Sequence, residues 1–154
     1  MRTKRSVACQ SKNNDIDWHA SIAMNNGVNK INFNMKTKIQ ILYNPRCSKC
    51  REALSLLEGE NCEIEIVEYL KDTITKKELK SILAKLGLKA VDIVRKKEAL
   101  FLKKFKDKKF TNEEWIQILL ENPTLIERPI VIDGYKAIVG RPPELVIDLL
   151  HRKK

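Results

Sequence analysis

The feature that most constrains this chain is an abrupt change of period between Lys38 and Leu57. Lys38 to Tyr43 reads as a strand, Asn44-Pro45-Arg46 interrupts it, and from about Ser48 the apolar positions follow helical spacing with Leu54 and Leu57 inward. Cys47 stands at the junction. Cys62 to Tyr69 then alternates Ile64 and Ile66 inward with Glu63 and Glu65 outward, a period-two strand expected to pair parallel to the first. Strand, helix and strand in this order demand a layered arrangement with a sheet at its centre.

The segments that follow extend the pattern. Thr75-Lys-Lys-Glu78 is a capping box, in which the Thr hydroxyl satisfies an orphan N–H and the Glu reaches back; Leu79, Ile82, Leu83 and Leu86 supply the apolar face and Gly87 the stop. Short helices are expected across Val91 to Phe105. A second capping box, Thr111-Asn-Glu-Glu114, opens a helix through Trp115, Ile118 and Leu119 that stops near Asn122-Pro123. Ile130 to Ile132 and Lys136 to Val139 flank Asp133-Gly134-Tyr135, a strong hairpin signal, and Pro142-Pro143-Glu144 is read as the start of a last helix running to about Leu150. The order βαβ, helical insertion, ββα, with a cysteine directly after the first strand, is the layout of an α/β thioredoxin-like fold with a mixed sheet.

At 154 residues and 43 % hydrophobic, the chain supports one domain with a real core. That domain is assigned to residues 35–154. Residues 1–34 are rich in Asn, Ser and Lys, lack a sustained period and read as a disordered or loosely ordered extension, with Met35 offering an alternative native start. Cys9, Trp18 and His19 are given no role. The basic start, Arg2, Lys4 and Arg5, is not followed by an apolar core, so it does not read as a secretory signal. No apolar run approaches the roughly eighteen residues of a membrane span, and a soluble, cytoplasmic protein is expected. The net charge of +10 is carried largely by lysines on polar helix faces, such as Lys76-Lys77 and Lys103-Lys104. With little aromatic interleaving this reads as solvated surface rather than a nucleic-acid site, and it also favours a small anionic substrate.

Four cysteines without a secretory signal do not form a disulfide framework. Cys47-Ser-Lys-Cys50, after a strand and opening a helix, has the placement of a redox or nucleophilic thiol. Orphan N–H groups and the positive end of the helix dipole stabilise a thiolate, and Arg46, Lys49 and Arg51 add charge nearby, so Cys47 is expected to titrate below the roughly 8.5 of a free cysteine. Cys50, one turn on, is either a resolving thiol able to close a disulfide or a small packing residue; Cys62, at a strand start, reads as structural. No second Cys or His pair has ligand spacing, so no metal is expected. Three arginines stand beside loops: Arg95 in Ile93-Val-Arg-Lys-Lys-Glu98, Arg128 in Leu125-Ile-Glu-Arg-Pro-Ile-Val131, and Arg141 in Gly140-Arg-Pro-Pro-Glu144. Each alone fits a surface ion pair. Arg128 and Arg141, however, each precede a proline at an element boundary near the active edge, and a guanidinium fork suits a tetrahedral oxyanion. Pro129 is also where a thioredoxin-like fold often places a cis proline.

Asn44-Pro-Arg-Cys-Ser-Lys-Cys-Arg-Glu-Ala-Leu54, Glu127-Arg-Pro-Ile-Val131 and Gly140-Arg-Pro-Pro-Glu144, in that order, resemble the ArsC family of glutaredoxin-coupled arsenate reductases, over roughly Lys38 to Leu150. The resemblance implies that Cys47 attacks arsenate, that Arg95, Arg128 and Arg141 bind the oxyanion, and that arsenate is reduced to arsenite. It further implies glutathione as co-substrate, glutaredoxin as partner and no bound cofactor. Two positions depart from the family. Tyr43 stands where His is frequent, and Cys50 where Ser or Thr is frequent, the latter opening a thiol route served by thioredoxin or another dithiol protein. Two other readings remain open. One is an Spx-like regulator that binds RNA polymerase and uses the CxxC pair as a redox switch, although those relatives lack the Gly-Arg-Pro segment. The other is a general thiol-disulfide reductase.

Overall fold

The computed structural model describes residues 5–8, 37–60 and 62–151. Cys9, Trp18, His19 and Met35 lie outside them. The elements are β1 (Arg5–Ala8), β2 (Thr37–Leu42), α1 (Ser48–Glu58), β3 (Cys62–Val67), α2 (Lys76–Leu86), α3 (Ala99–Lys104), α4 (Asn112–Glu121), β4 (Ile130–Asp133), β5 (Lys136–Val139) and α5 (Leu145–His151), with 3-10 turns at Ala90–Ile93 and Pro123–Leu125. The sheet runs β1-β3-β2-β4-β5. β2 and β3 are parallel, as their order predicted, and the other pairs are antiparallel. This is the thioredoxin-like arrangement, mixed sheet included. Within the stretch read as loosely ordered, Arg5–Ala8 adds an edge strand along β3; the rest of 1–34 lies outside the described residues.

Alternation along β2 sends its side chains to two separate clusters. Ile39 and Ile41 pack with Ala53 and Leu57 of α1 and Val146 and Leu149 of α5. Leu42, with Ile130 and Ile132 of β4, faces Leu79, Ile82 and Leu83 of α2 and Trp115, Ile116 and Leu119 of α4. Both capping boxes form, at Thr75 with Glu78 and at Thr111 with Glu114, and Gly87 ends α2 at φ 66°, a left-handed conformation that glycine adopts without Cβ strain. Phe110 meets Trp115 edge-on at 5.0 Å, filling the helical block.

Three expectations are corrected. Glu65 does not face outward; it is 5 % exposed, because α2 covers that face of the sheet too. Its charge is matched across the strand pair, accepting from Gln40 Nε2 at 2.9 Å with Lys38 Nζ at 3.5 Å. β3 stops at Val67, leaving Tyr69 in the turn beyond it. The last helix begins at Leu145 rather than at Pro142, because the Pro142 and Pro143 carbonyls first accept from the N–H groups of Leu145 and Val146 in a tighter turn.

Candidate active site

The loop after β2 is built by one buried side chain. Asn44 accepts the Arg46 N–H on its Oδ1 at 2.9 Å, and its carbonyl accepts the Cys47 N–H at 3.0 Å. Arg51 Nη1 donates to the Pro45 carbonyl at 2.8 Å, tying α1 back to the turn. Cys47 thereby becomes the N-cap residue of α1. Its thiol makes no capping hydrogen bond of ordinary geometry, but the N–H dipoles of the first turn act on the sulfur. Burial pushes the Cys47 thiol up; the Cys50 N–H, the Cys50 thiol, the Arg128 guanidinium and the Lys49 N–H outweigh it and hold its pKa below the ordinary value. Arg128, which the sequence reading did not place beside the sulfur, is the charged side chain that hydrogen-bonds it, and Lys49 contributes through its backbone N–H. Cys50 is fully buried, and burial pushes its pKa up to about 11, leaving a neutral thiol against the Cys47 sulfur. Cys62 is buried as well, its Sγ 3.4 Å from the Leu57 carbonyl.

The three arginines singled out in the sequence are brought together, largely by main-chain carbonyls. Arg128 Nη1 donates to the Tyr69 hydroxyl at 3.3 Å and to the Thr124 carbonyl at 3.4 Å. Arg95 Nη1 donates to the same Thr124 carbonyl at 3.2 Å. Arg141 Nε donates to the Arg128 carbonyl at 2.8 Å. Around them, the Val94–Ile126 bridge and the Arg95 N–H bonded to the Leu125 carbonyl at 2.8 Å hold Arg95 in place. The Arg128–Pro129 peptide is cis, as is Arg141–Pro142. Arg95 and Arg141 also have the ion pairs that a surface reading would assign them, with Glu98 and Glu127. An open cleft of about 510 Å³ is lined by Arg95, Arg141, Lys96, Lys97, Glu98 and Glu127, among others. Cys47 joins this array through Arg128, whose Nε is buried without an acceptor.

Sequence reasoning missed several participants. Tyr69, 1 % exposed, was read only as the end of a strand, although a position following β3 lies beside the end of its parallel neighbour β2. Asn44 was read as a strand breaker, and its side-chain role in the turn was legible from the Asn-Pro pair. The Thr124 carbonyl carries no side-chain signal at all. The arrangement offers a stabilised thiolate and a fan of guanidinium donors, the elements of nucleophilic attack on a polyoxygen anion. Among the described residues no three His, Cys, Asp or Glu side chains gather to hold a metal ion, and no helix is long and apolar enough to cross a membrane.

The profile of the ArsC family matches residues 42–149, which include Cys47 and all three arginines. The chain belongs to the ArsC family. It is similar to the uncharacterized protein YfgD of Escherichia coli, 39 % identical over 118 residues that make up 75 % of this chain and 99 % of the relative. It is similar as well to the arsenate reductase of Haemophilus influenzae, 42 % identical over 112 residues, 71 % of this chain and 97 % of the relative. Among solved structures, an arsenate reductase from Vibrio cholerae superposes with a TM-score of 0.69 at 36 % identity, covering 73 % of this ArsC chain and 98 % of its own.

Proposed function

We propose that this ArsC-family chain is an arsenate reductase, an oxidoreductase in which Cys47 is the nucleophile and Arg95, Arg128 and Arg141 bind the oxyanion. One observation carries the reading: the lowered thiol at the α1 N-terminus has Arg128 within hydrogen-bonding reach, and Arg128 is joined to Arg95 by the Thr124 carbonyl that both donate to and to Arg141 by its own carbonyl, which accepts from Arg141 Nε. The Cys47 thiolate attacks arsenic, a sulfur–arsenic bond forms and one arsenate oxygen leaves as water. A glutathione thiolate then attacks the Cys47 sulfur, the bonding pair passes to arsenic, arsenite departs, and glutaredoxin resolves the mixed disulfide. Glutathione is a co-substrate here, and no bound cofactor or metal enters the scheme. Cys50 favours a variant of the second step, since its thiol already lies against the Cys47 sulfur. Once deprotonated, Cys50 displaces arsenite and forms a Cys47–Cys50 disulfide, which a dithiol protein such as thioredoxin reduces.

The experiment is arsenite production by the purified chain with glutathione and glutaredoxin, and separately with thioredoxin, beside Cys47→Ser, Cys50→Ser and Arg128→Ala. Loss in Cys47→Ser and Arg128→Ala supports the shared first step. Dependence on Cys50 with thioredoxin alone selects the internal disulfide. An inactive wild type whose thiol pair still oxidises and reduces reversibly would transfer the assignment to a redox switch or a general disulfide reductase.

A further inference from the structure

Three carboxylates, Asp92, Glu98 and Glu127, line the arginine cleft, a costly location for negative charge in a site that only had to attract anions; Asp92 accepts the Lys89 N–H at 2.9 Å. They are not equivalent. Glu98 pairs with Arg95 Nη1 within its own turn. Glu127 Oε2 is buried and receives no hydrogen bond. Arg141 Nε is 3.3 Å from it, but that N–H is aimed at the Arg128 carbonyl, 2.8 Å away. The result is a shielded carboxylate oxygen that has a charge partner in Arg141 but receives no hydrogen bond, beside the guanidinium array. A buried acceptor without a donor is unfavourable, and the Glu127 side chain, a quarter exposed where it lines the cleft, has only to turn its carboxylate toward the cleft to accept an O–H carried in by the ligand.

We propose that Glu127 makes this site selective for a tetrahedral oxyanion that retains a proton, such as hydrogen arsenate or hydrogen phosphate, over one that has none, such as sulfate. The inference rests on the oxyanion-binding reading above. Charge attraction to the arginines does not separate these ions, which have the same shape. A hydroxyl on arsenic or phosphorus donates to Glu127 Oε2, whereas sulfate sets lone pairs against lone pairs in a shielded place. Rejection through a mismatched buried polar group discriminates better than small differences of size. Glu127 is thus a specificity residue, distinct from the arginines that supply affinity.

Calorimetric titration of inorganic phosphate and of sulfate into the reduced full chain at neutral pH tests it, using wild type, Glu127→Gln and Glu127→Asp. Wild type is expected to bind phosphate at least about tenfold more tightly than sulfate. Glu127→Gln is expected to narrow that ratio about fivefold or more, mainly through better sulfate binding, because an amide can donate where the carboxylate could not. Glu127→Asp keeps a carboxylate and is expected to keep the preference, which guards against a Gln variant that fails to fold. An unchanged ratio in Glu127→Gln, or a wild type that binds neither anion or prefers sulfate, overturns the inference. Arsenate turnover in the same preparations separates the two readings. Turnover with no anion discrimination sinks Glu127's role alone, and discrimination without turnover sinks the reductase assignment alone.

Discussion

Cys47 and Cys50 are the same residue type one helical turn apart, and their surroundings drive them in opposite directions. Burial raises both; at Cys47 the first-turn N–H groups and the Arg128 guanidinium reverse it, while at Cys50 the heavier burial outweighs the Asn44 backbone and the Arg128 charge and its pKa rises to about 11. A thiol lowered in the folded state ionises there at lower pH than in the unfolded chain. Its stabilising effect is therefore complete above the unfolded value and is lost as the pH falls through the folded one. The rate of iodoacetamide alkylation at Cys47 against pH is expected to have its midpoint below that of an unperturbed cysteine. Arg128→Ala should move this midpoint up and lower kcat/KM for arsenate by about a hundredfold or more. Tyr69→Phe removes the hydroxyl that accepts from Arg128 Nη1, and should move the midpoint in the same direction by less. A Tyr69→Phe profile that coincides with wild type would show that Tyr69 only fills space.

At the scale of elements, the link from β5 to α5 places Arg141, and Gly140 governs it. A Cβ at Gly140 would lie 2.9 Å from Val146 Cγ1 and 3.0 Å from Pro129 Cγ, with a rigid ring on one side and the α5 core contact on the other. Gly140→Ala is expected to cost about 1–3 kcal/mol through overpacking, lowering Tm by about 2–4 °C for each kcal/mol, and to weaken anion binding by displacing Arg141. Thermal melts and phosphate titration on the variant check both parts. The elements themselves were legible in the sequence, because strand period, capping boxes and the Asp133-Gly134 turn are local signals. Which side of an element stays dry was not. Glu65 alternates as a solvent-facing residue should, yet its burial depends on how the following helix, α2, turns back over the sheet, which the strand's own period does not encode. Cys47 and Cys50 after β2, and Arg128 and Arg141 in the two Arg-Pro pairs, stood out as motifs, whereas the brace at the Thr124 carbonyl did not, since every residue has a carbonyl and only the chain path selects this one.

Across the whole molecule, a formal charge of +10 adds a long-range attraction to the local hydrogen bonds of the cleft, whose walls include Lys96 and Lys97. The Debye length falls from about 30 Å to about 8 Å between 0.01 and 0.15 M salt, so phosphate affinity is expected to drop several-fold over that range in titrations with a chloride salt. An affinity independent of salt would mean that only the short-range arginine contacts matter. The two faces of the sheet contribute different halves of the site. α1, which presents Cys47, is anchored with α5 in one apolar cluster. Arg95 and Arg128 leave segments rooted at Ile93, Val94, Leu125, Ile126 and Ile130 in the other. A purified sample judged sound by titrating its reactive thiols has been inspected on one side only, and a batch with a full thiol count can have lost the arrangement of its arginines if the opposite layer has loosened.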